Sequence, residues 1–183
     1  MTFRNTTRSW GTLSKALHWI IVLLIINQWV LAEQADGLTG LAKLKMLGYH
    51  KSFGMTILVL AVIRLTWRLL NPVPDLSAET KPWERVLAKI SHVLLYGLIF
   101  AMPLTGWLMS SAKTYSVSWF NLFAFPNLVG KSDYLYDLML DLHHLLFGLL
   151  VTVAGLHIGG ALKHHFIDKN DVLKRMLPFG GIK

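Results

Sequence analysis

The residues with the clearest chemical potential in this sequence are its histidines, because they fall in or beside strongly apolar stretches. The chain has 183 residues, with eight histidines and no cysteine. A polar side chain inside a membrane is costly and usually functional, and a neutral imidazole nitrogen is a strong ligand for haem iron. Any one of these histidines alone is better explained by an interfacial position or by helix pairing. Their spacing changes that interpretation. They are His18, His50, His92, His143, His144, His157, His164 and His165.

Two histidines near the end of the chain share one face of a predicted helix. His143 and His157 are 14 residues apart, so they lie within about 40° of the same face and about 21 Å apart along the axis. The neighbouring His144 is rotated by about a further 100°. Ligands at this spacing fit two haem groups, one toward each membrane surface. Covalent c-type attachment needs a Cys-x-x-Cys-His motif, which a chain without cysteine cannot provide, so b-type haem is predicted.

Each iron needs a second histidine at the same depth on another helix. His50 begins the second apolar stretch and His18 begins the first, on opposite sides of the membrane. The sequence therefore predicts His50 with His143 and His18 with His157 as the axial pairs. His92, at the start of the third stretch, is an alternative ligand or a contact to a quinone or a haem propionate.

Further residues could support these sites. Arg64 and Arg68 end the second stretch, where they could pair with haem propionates or simply extend to the membrane surface. His164 lies seven residues beyond His157, within about 20° of the same face. A histidine that titrates near neutrality can bond a quinone carbonyl and pass a proton, so His164 is the predicted catalytic residue at a ubiquinone site. A lipid headgroup contact by His164 and His165 is an equal alternative.

The elements that must position these residues are membrane helices. The chain is 54% hydrophobic and 15% charged, with a mean hydropathy of +0.47, which is too apolar for an ordinary soluble domain. A helix needs about 20 apolar residues to cross a bilayer. Four stretches qualify, at about 16–32, 49–70, 86–109 and 138–162. We therefore predict an all-α integral membrane four-helix bundle, with residues 1–183 as a single domain. The first stretch resembles a signal peptide but contains His18, so we interpret it as an uncleaved helix.

The charge distribution predicts the orientation in the membrane. The net charge is +8, but the basic residues sit at the ends of apolar stretches, which favours a membrane surface over nucleic acid. An even number of spans puts both termini on one side, and the side richer in Lys and Arg is cytoplasmic. The terminal side carries Arg4, Arg8, Lys15, Arg64, Arg68, Lys81, Arg85, Lys89, Lys163, Lys169, Lys174, Arg175 and Lys183. The opposite side carries Lys43, Lys45, Lys51, Lys113 and Lys131. Both termini are therefore predicted to be cytoplasmic.

Several segments together resemble the bacterial cytochrome b561 family. They are SKALHW, YHKSFGMTILVLAVIRLTWRL followed by NPVP, ISHVLLYGLIFAMPLTGWLM, GLHIGGALKHHF and DKNDVLKRMLP. The resemblance covers roughly residues 14–178. It implies a four-helix bundle in the bacterial inner membrane, two b haems on His18, His50, His143 and His157, and electron exchange with ubiquinone next to His164. A member of the family oxidises superoxide, which makes external superoxide the expected electron donor.

Three functions remain open at this point. The leading one is transfer of electrons from superoxide, or another donor, through two haems to ubiquinone. Lys43, Lys45 and Lys51 flank His50 and could attract an anionic donor, although an ordinary solvated loop explains them as well. The second function is that of a membrane-anchor subunit that carries electrons for a hydrogenase or a dehydrogenase. The third, without redox chemistry, is a helical transporter fragment.

Overall fold

Long helices dominate the computed structural model, which describes residues 2–75 and 80–179. The long helices are α1 (Thr12–Asp36), α2 (Gly40–Leu69), α3 (Pro82–Ala112) and α4 (Asp133–Phe166). A two-stranded antiparallel hairpin, β1 (Val117–Trp119) and β2 (Phe123–Phe125), lies between α3 and α4 in the chain. A short helix, α5 (Val172–Met176), follows α4.

Within the described residues, all four long helices can cross a membrane. They contain 25, 30, 31 and 34 residues, against the roughly 20 that a bilayer core requires. Large apolar side chains cover their outer surfaces; Leu23 is 63% exposed, Val93 71% and Leu156 70%. Contiguous exposed apolar surface on this scale indicates a membrane-facing protein. The predicted all-α membrane helical bundle is confirmed, and its helices contact lipid.

The helices extend beyond the apolar stretches that predicted them. Helix α2 begins at Gly40 rather than near residue 49, and α4 begins at Asp133 rather than near residue 138. The extra turns carry charged residues such as Lys43 and Lys45, which lower the local hydropathy without breaking the helix. At the other end α2 stops at Leu69, just before Pro72, as expected because proline lacks a backbone N–H and restrains its predecessor.

The hairpin is an addition to the predicted architecture, which contained helices only. Its turn uses left-handed backbone at Phe120 (φ 47°) and Asn121 (φ 60°). The Oγ of Ser52, on α2, lies 2.8 Å from the Ser118 carbonyl and accepts a 3.0 Å bond from the Phe120 N–H. These bonds fix the hairpin against α2 within one turn of His50.

The contacts of the chain group into two compact units. Unit 1 comprises Met1–Ile20, Val62–Gly97 and Leu150–Lys183, and unit 2 comprises Ile21–Ala61 and Leu98–Leu149. Each long helix contributes residues to both units. His18, His92, His157, His164 and His165 belong to unit 1, whereas His50, His143 and His144 belong to unit 2. Each unit therefore holds its own cluster of histidines.

Candidate functional site

The histidine pair of unit 2 is His50 on α2 and His143 on α4. Their ring centroids are 6.3 Å apart with an interplanar angle of 67°. The Nδ1 of His50 is 3.3 Å from the Gln28 carbonyl oxygen on α1, and the Nδ1 of His143 is 3.0 Å from the Thr105 hydroxyl on α3. That hydroxyl also lies 2.9 Å from the Met102 carbonyl, so it donates to α3 and accepts from His143. With both Nδ1 atoms engaged, Nε2 is the free ligand atom of each ring.

The spacing of this pair would suit a metal held between the two imidazoles. Two imidazoles on opposite sides of one metal have centroids about 6 Å apart, for metal–nitrogen bonds of about 2 Å as in zinc sites. The Nδ1 bonds fix the tautomer and the ring orientation, as second partners do for most metal-binding histidines. His144 is exposed. The structure therefore brings His143, rather than its neighbour, to His50.

Small residues give this pair its space. A Cβ at Gly106, on α3, would lie 3.4 Å from Cε1 of His143. A Cβ at Gly54 would lie 3.0 Å from Nε2 of Gln28, which donates a 2.9 Å bond to the His50 carbonyl. Gln28 and His50 thus hold each other through reciprocal bonds between α1 and α2, and a side chain at Gly54 would disturb them.

Unit 1 gathers three imidazoles. His92 and His157 make an edge contact with centroids 5.2 Å apart. His18 lies within electrostatic reach of both rings and of Arg64, and its own ring packs against Trp19 at 5.4 Å. Both partners considered for His157 on the basis of sequence, His18 and His92, therefore lie in the same cluster.

Arg64 and Arg68 lie beside this cluster and are supported by aromatic rings. Arg64 donates a 3.3 Å bond to the Tyr96 hydroxyl, and Arg68 lies 5.7 Å from the ring centroids of both Trp10 and Tyr96. Within residues 2–75 and 80–179, neither arginine forms an ion pair with a carboxylate. Both line a small pocket with Trp67, whose buried indole N–H has no partner among the described residues. Two cations and a free donor are the chemistry that an anionic group such as a haem propionate requires.

A polar cluster closes the carboxyl end of α4. Its members, here called the α4 terminal cluster, are Glu84, Lys163, His164 and Asp168. The Lys163 ammonium donates to Oε1 of Glu84 and to Oδ2 of Asp168, the latter at 2.9 Å. The same Oδ2 is 2.7 Å from Nδ1 of His164. His164, the predicted catalytic residue, is therefore tied to a carboxylate that the histidine pattern did not reveal.

The α4 terminal cluster is an ion-pair network. Ligand atoms of Glu84, His164 and Asp168 lie within 4.8 Å of one another, a spacing that could also suit a metal ion. The Lys163 ammonium, however, already bonds both carboxylates and supplies the positive charge. The Lys163 bond, and then the His164 bond, hold the pKa of Asp168 below its ordinary value of 3.8. Asp168 is therefore ionised near neutral pH.

Sequence comparison identifies the family of the chain. Residues 9–179 match the family described as prokaryotic cytochrome b561. The chain belongs to the prokaryotic cytochrome b561 family. It is 34% identical over 183 residues to cytochrome b561 homolog 2 of Escherichia coli K12, covering 97% of this chain and 95% of that relative. It is also 31% identical over 177 residues to a probable superoxide oxidase, CybB, of Yersinia pestis, covering 93% and 97% respectively.

Membership of the cytochrome b561 family makes the protein a membrane electron-transfer protein, and it implies haem b. The four apolar helices and the prokaryotic family indicate the bacterial inner membrane. The donor set fits haem b, because each unit supplies at least two imidazoles and unit 1 adds two arginines. The resemblance noted from the sequence motifs is confirmed.

Several residues that contact the candidate site residues were not identified from the sequence. Gln28 and Thr105 are polar residues inside apolar helices, and that was a usable signal, because such residues usually bond to something in the bundle. His164 and Asp168 stand four residues apart and were also readable as a pair. Glu84 and Lys163 are 79 residues apart, and no local pattern joins them.

Proposed function

We propose that this chain is a dihaem b-type cytochrome that passes electrons from superoxide, at the periplasmic face, to ubiquinone near the cytoplasmic face. The observation that carries the proposal is the division of the histidines into two clusters, one in each unit. A single-haem carrier needs one such cluster. The similarity to a protein named as a probable superoxide oxidase supports the choice of donor.

Four histidines hold the haems in this proposal. His50 and His143 bind the outer haem through Nε2, while the Gln28 carbonyl and the Thr105 hydroxyl orient the two rings. His18 and His157 bind the inner haem, a pairing supported by the family motifs and by the position of His18 within the cluster of unit 1. His92, in ring contact with His157, is the alternative second ligand.

Haem b supplies reversible one-electron transfer when it is bound. The residues of the chain do the remaining work. Arg64 and Arg68 neutralise the propionates of the inner haem, and Tyr96 holds both guanidinium groups in place. The lipid-facing leucines and valines exclude water from the helices. His164 bonds a ubiquinone carbonyl and delivers a proton to it, since quinone reduction consumes protons as well as electrons.

The membrane face at which the electron donor binds is assigned from charge. Lys43, Lys45 and Lys51 flank His50 in the sequence, and an anionic donor would be drawn toward them. Lys43 lies 4.0 Å from Asp36, and Lys51 lies 5.5 Å from the Tyr115 ring centroid, while Lys45 is exposed. The excess of basic residues on the opposite side puts both termini in the cytoplasm. Lys183, which contributes to that excess, lies outside the described residues.

The decisive experiment uses the isolated chain in lipid nanodiscs. With superoxide generated in the buffer and ubiquinone-1 as acceptor, the expected result is superoxide-dependent quinol formation without a partner protein. A protein with intact haem spectra but no such activity would favour the membrane-anchor alternative. A preparation that cannot be loaded with haem would contradict the dihaem proposal itself.

The quinone assignment has its own matched pair of variants. His164→Ala should slow haem reoxidation by ubiquinone by about 10²–10⁴-fold, the usual worth of a positioned proton donor, and should leave haem content and haem reduction unchanged. His165→Ala is the control, since it removes the adjacent imidazole, which packs against Phe166. If His164→Ala reoxidises at the wild-type rate and His92→Ala is slow, the quinone lies beside α3 instead.

A further inference from the structure

The carboxyl end of α4 folds back on itself around His164. The Asp168 N–H bonds the Lys163 carbonyl at 3.2 Å, and the Asn170 N–H bonds the His164 carbonyl at 3.0 Å. Lys169, between them, adopts left-handed backbone with φ 54°, which is uncommon for a residue other than glycine and persists where the surroundings impose it. This return of the chain places the Asp168 carboxylate directly against the His164 ring.

The contacts of His164 determine which ring nitrogen carries hydrogen. An ionised carboxylate only accepts hydrogen bonds, so the 2.7 Å contact between Oδ2 of Asp168 and Nδ1 of His164 requires a hydrogen on Nδ1. The amide nitrogen of Asn170 is farther from the same atom, at 3.3 Å, and does not compete. The His164 side chain is 12% exposed. Its Nε2 is therefore the nitrogen left to meet a substrate.

Asp168 is itself held in place by charge. Its Oδ2 receives the Lys163 ammonium at 2.9 Å, and Glu84, on the first turn of α3, binds the same ammonium. The other Glu84 oxygen accepts the Lys81 N–H at 3.1 Å, and the Glu84 side chain is only 7% exposed. The cluster thus joins the start of α3 to the end of α4 and keeps the carboxylate fixed behind His164.

Resting on the quinone role of His164 proposed above, we propose that Asp168 is the positioning residue of the quinone site. It keeps one hydrogen on Nδ1 of His164, so that Nε2 is the atom that exchanges a proton with the quinone. During quinone reduction, two superoxide anions each lose one electron and leave as O2, and the two electrons reach the quinone. One of the two required protons passes from Nε2 to a quinone oxygen, and the other reaches the second quinone oxygen from cytoplasmic solvent. The neutral ring keeps its hydrogen on Nδ1, and cytoplasmic water returns a proton to Nε2.

Asp168→Asn tests this role, with Asp171→Asn as the matched control. Asp171 pairs with Lys174 at 3.5 Å on the exposed surface. In the pre-reduced holoprotein, Asp168→Asn should slow haem reoxidation by ubiquinone-1 by about 10–100-fold, the usual effect of removing such a supporting partner. Haem content, haem spectra and reduction by superoxide should stay at wild-type values. Asp168→Glu, which keeps the carboxylate, should recover much of the rate.

Two further measurements separate positioning from a merely structural role. If Asp168 acts through His164, then Asp168→Asn should have no additional effect in a His164→Ala background. Nitrogen-15 NMR of labelled histidine in the reduced protein should show His164 as the Nδ1–H tautomer in the wild type and as a mixture of tautomers in Asp168→Asn.

The outcomes that would overturn the inference differ from those that would overturn the proposed function. Equal slowing by Asp168→Asn in the wild-type and His164→Ala backgrounds would show that Asp168 only supports the fold. A slow His164→Ala with an unaffected Asp168→Asn would refute positioning and keep the quinone site. Wild-type reoxidation in His164→Ala would refute both.

Discussion

Thr105 gives the most direct test of how the outer histidine pair is built. Thr105 is only 6% exposed, and its hydroxyl accepts the hydrogen bond from Nδ1 of His143 at 3.0 Å. Thr105→Val keeps the shape of the side chain and removes that acceptor. Bound iron would fix the His143 ring, so its Nδ1–H would lose the Thr105 acceptor and keep at most the Met102 backbone carbonyl. In the haem-free protein the ring is free to turn toward another acceptor. Removing the Thr105 hydroxyl should therefore weaken haem binding.

The expected loss of haem affinity in Thr105→Val follows from that single hydrogen bond. The upper limit is the cost of a buried donor left without a partner, about 1–3 kcal/mol, which is about 5–150-fold in affinity at about 1.4 kcal/mol per tenfold. The range of about 10–100-fold known for second partners of metal ligands falls inside this interval. An Nδ1–H bond also makes the imidazole a stronger electron donor and favours oxidised iron. Its loss should therefore raise the reduction potential by about 40 mV for each 1 kcal/mol of difference between the two oxidation states.

The assay follows haem transfer from the membrane protein to apomyoglobin, together with a redox titration. Thr105→Val should release one haem faster and raise one potential, while the other haem is unchanged. Thr105→Ser keeps the hydroxyl and should behave as the wild type. Thr66→Val makes the same chemical change at an exposed position of α2 and serves as the control. Equal haem retention and equal potentials in Thr105→Val and Thr66→Val would refute the reasoning.

Three further outcomes are expected. His143→Ala should lose one haem and His144→Ala should keep both; the reverse haem contents would exchange the two roles. The pKa of Asp168 is lowered, chiefly by its bond with Lys163, so its stabilising contribution is complete above the ordinary value of 3.8 and is lost as the pH falls through the folded value. The difference in melting temperature between wild type and Asp168→Asn should therefore shrink as the pH falls below about 3.8 and disappear only below the folded pKa, and a difference that stays constant as the pH falls through this range would count against the ion pair. Reporter domains fused at the carboxyl terminus should be cytoplasmic and those inserted within residues 113–131 periplasmic; the opposite pattern would invert the electron path.

Much of the fold follows from the sequence, because lipid imposes a simple length rule on apolar helices. The four spans were predictable for this reason. The ends of the helices were not, since the first turns of α2 and α4 carry charged residues and are still helical, and low hydropathy gives no signal for a helix there. The hairpin was missed as well. Its left-handed turn uses Phe120 and Asn121 instead of the Asn-Gly pair that marks such turns, and its docking depends on Ser52 of a distant helix.

The candidate site was predictable where helical periodicity applies. The 3.6-residue repeat separates His143 from His144, and the structure brings His143 to His50 while it leaves His144 exposed. Periodicity does not rank His18 against His92, because each lies near the start of an apolar stretch that begins on the predicted cytoplasmic side. Within the α4 terminal cluster, the spacing of His164 and Asp168 was a usable signal, whereas the contact between Glu84 and Lys163 and the left-handed backbone at Lys169 could not be predicted.

The central claim is that two separate histidine clusters hold two haems, and haem quantification tests it most directly. The purified chain should be converted to its pyridine haemochrome, with protein measured by amino-acid analysis and a reduced-minus-oxidised spectrum recorded alongside. The account predicts two non-covalent b haems per chain, both six-coordinate and low-spin. One haem per chain in a fully loaded preparation, or a five-coordinate high-spin haem, would contradict it.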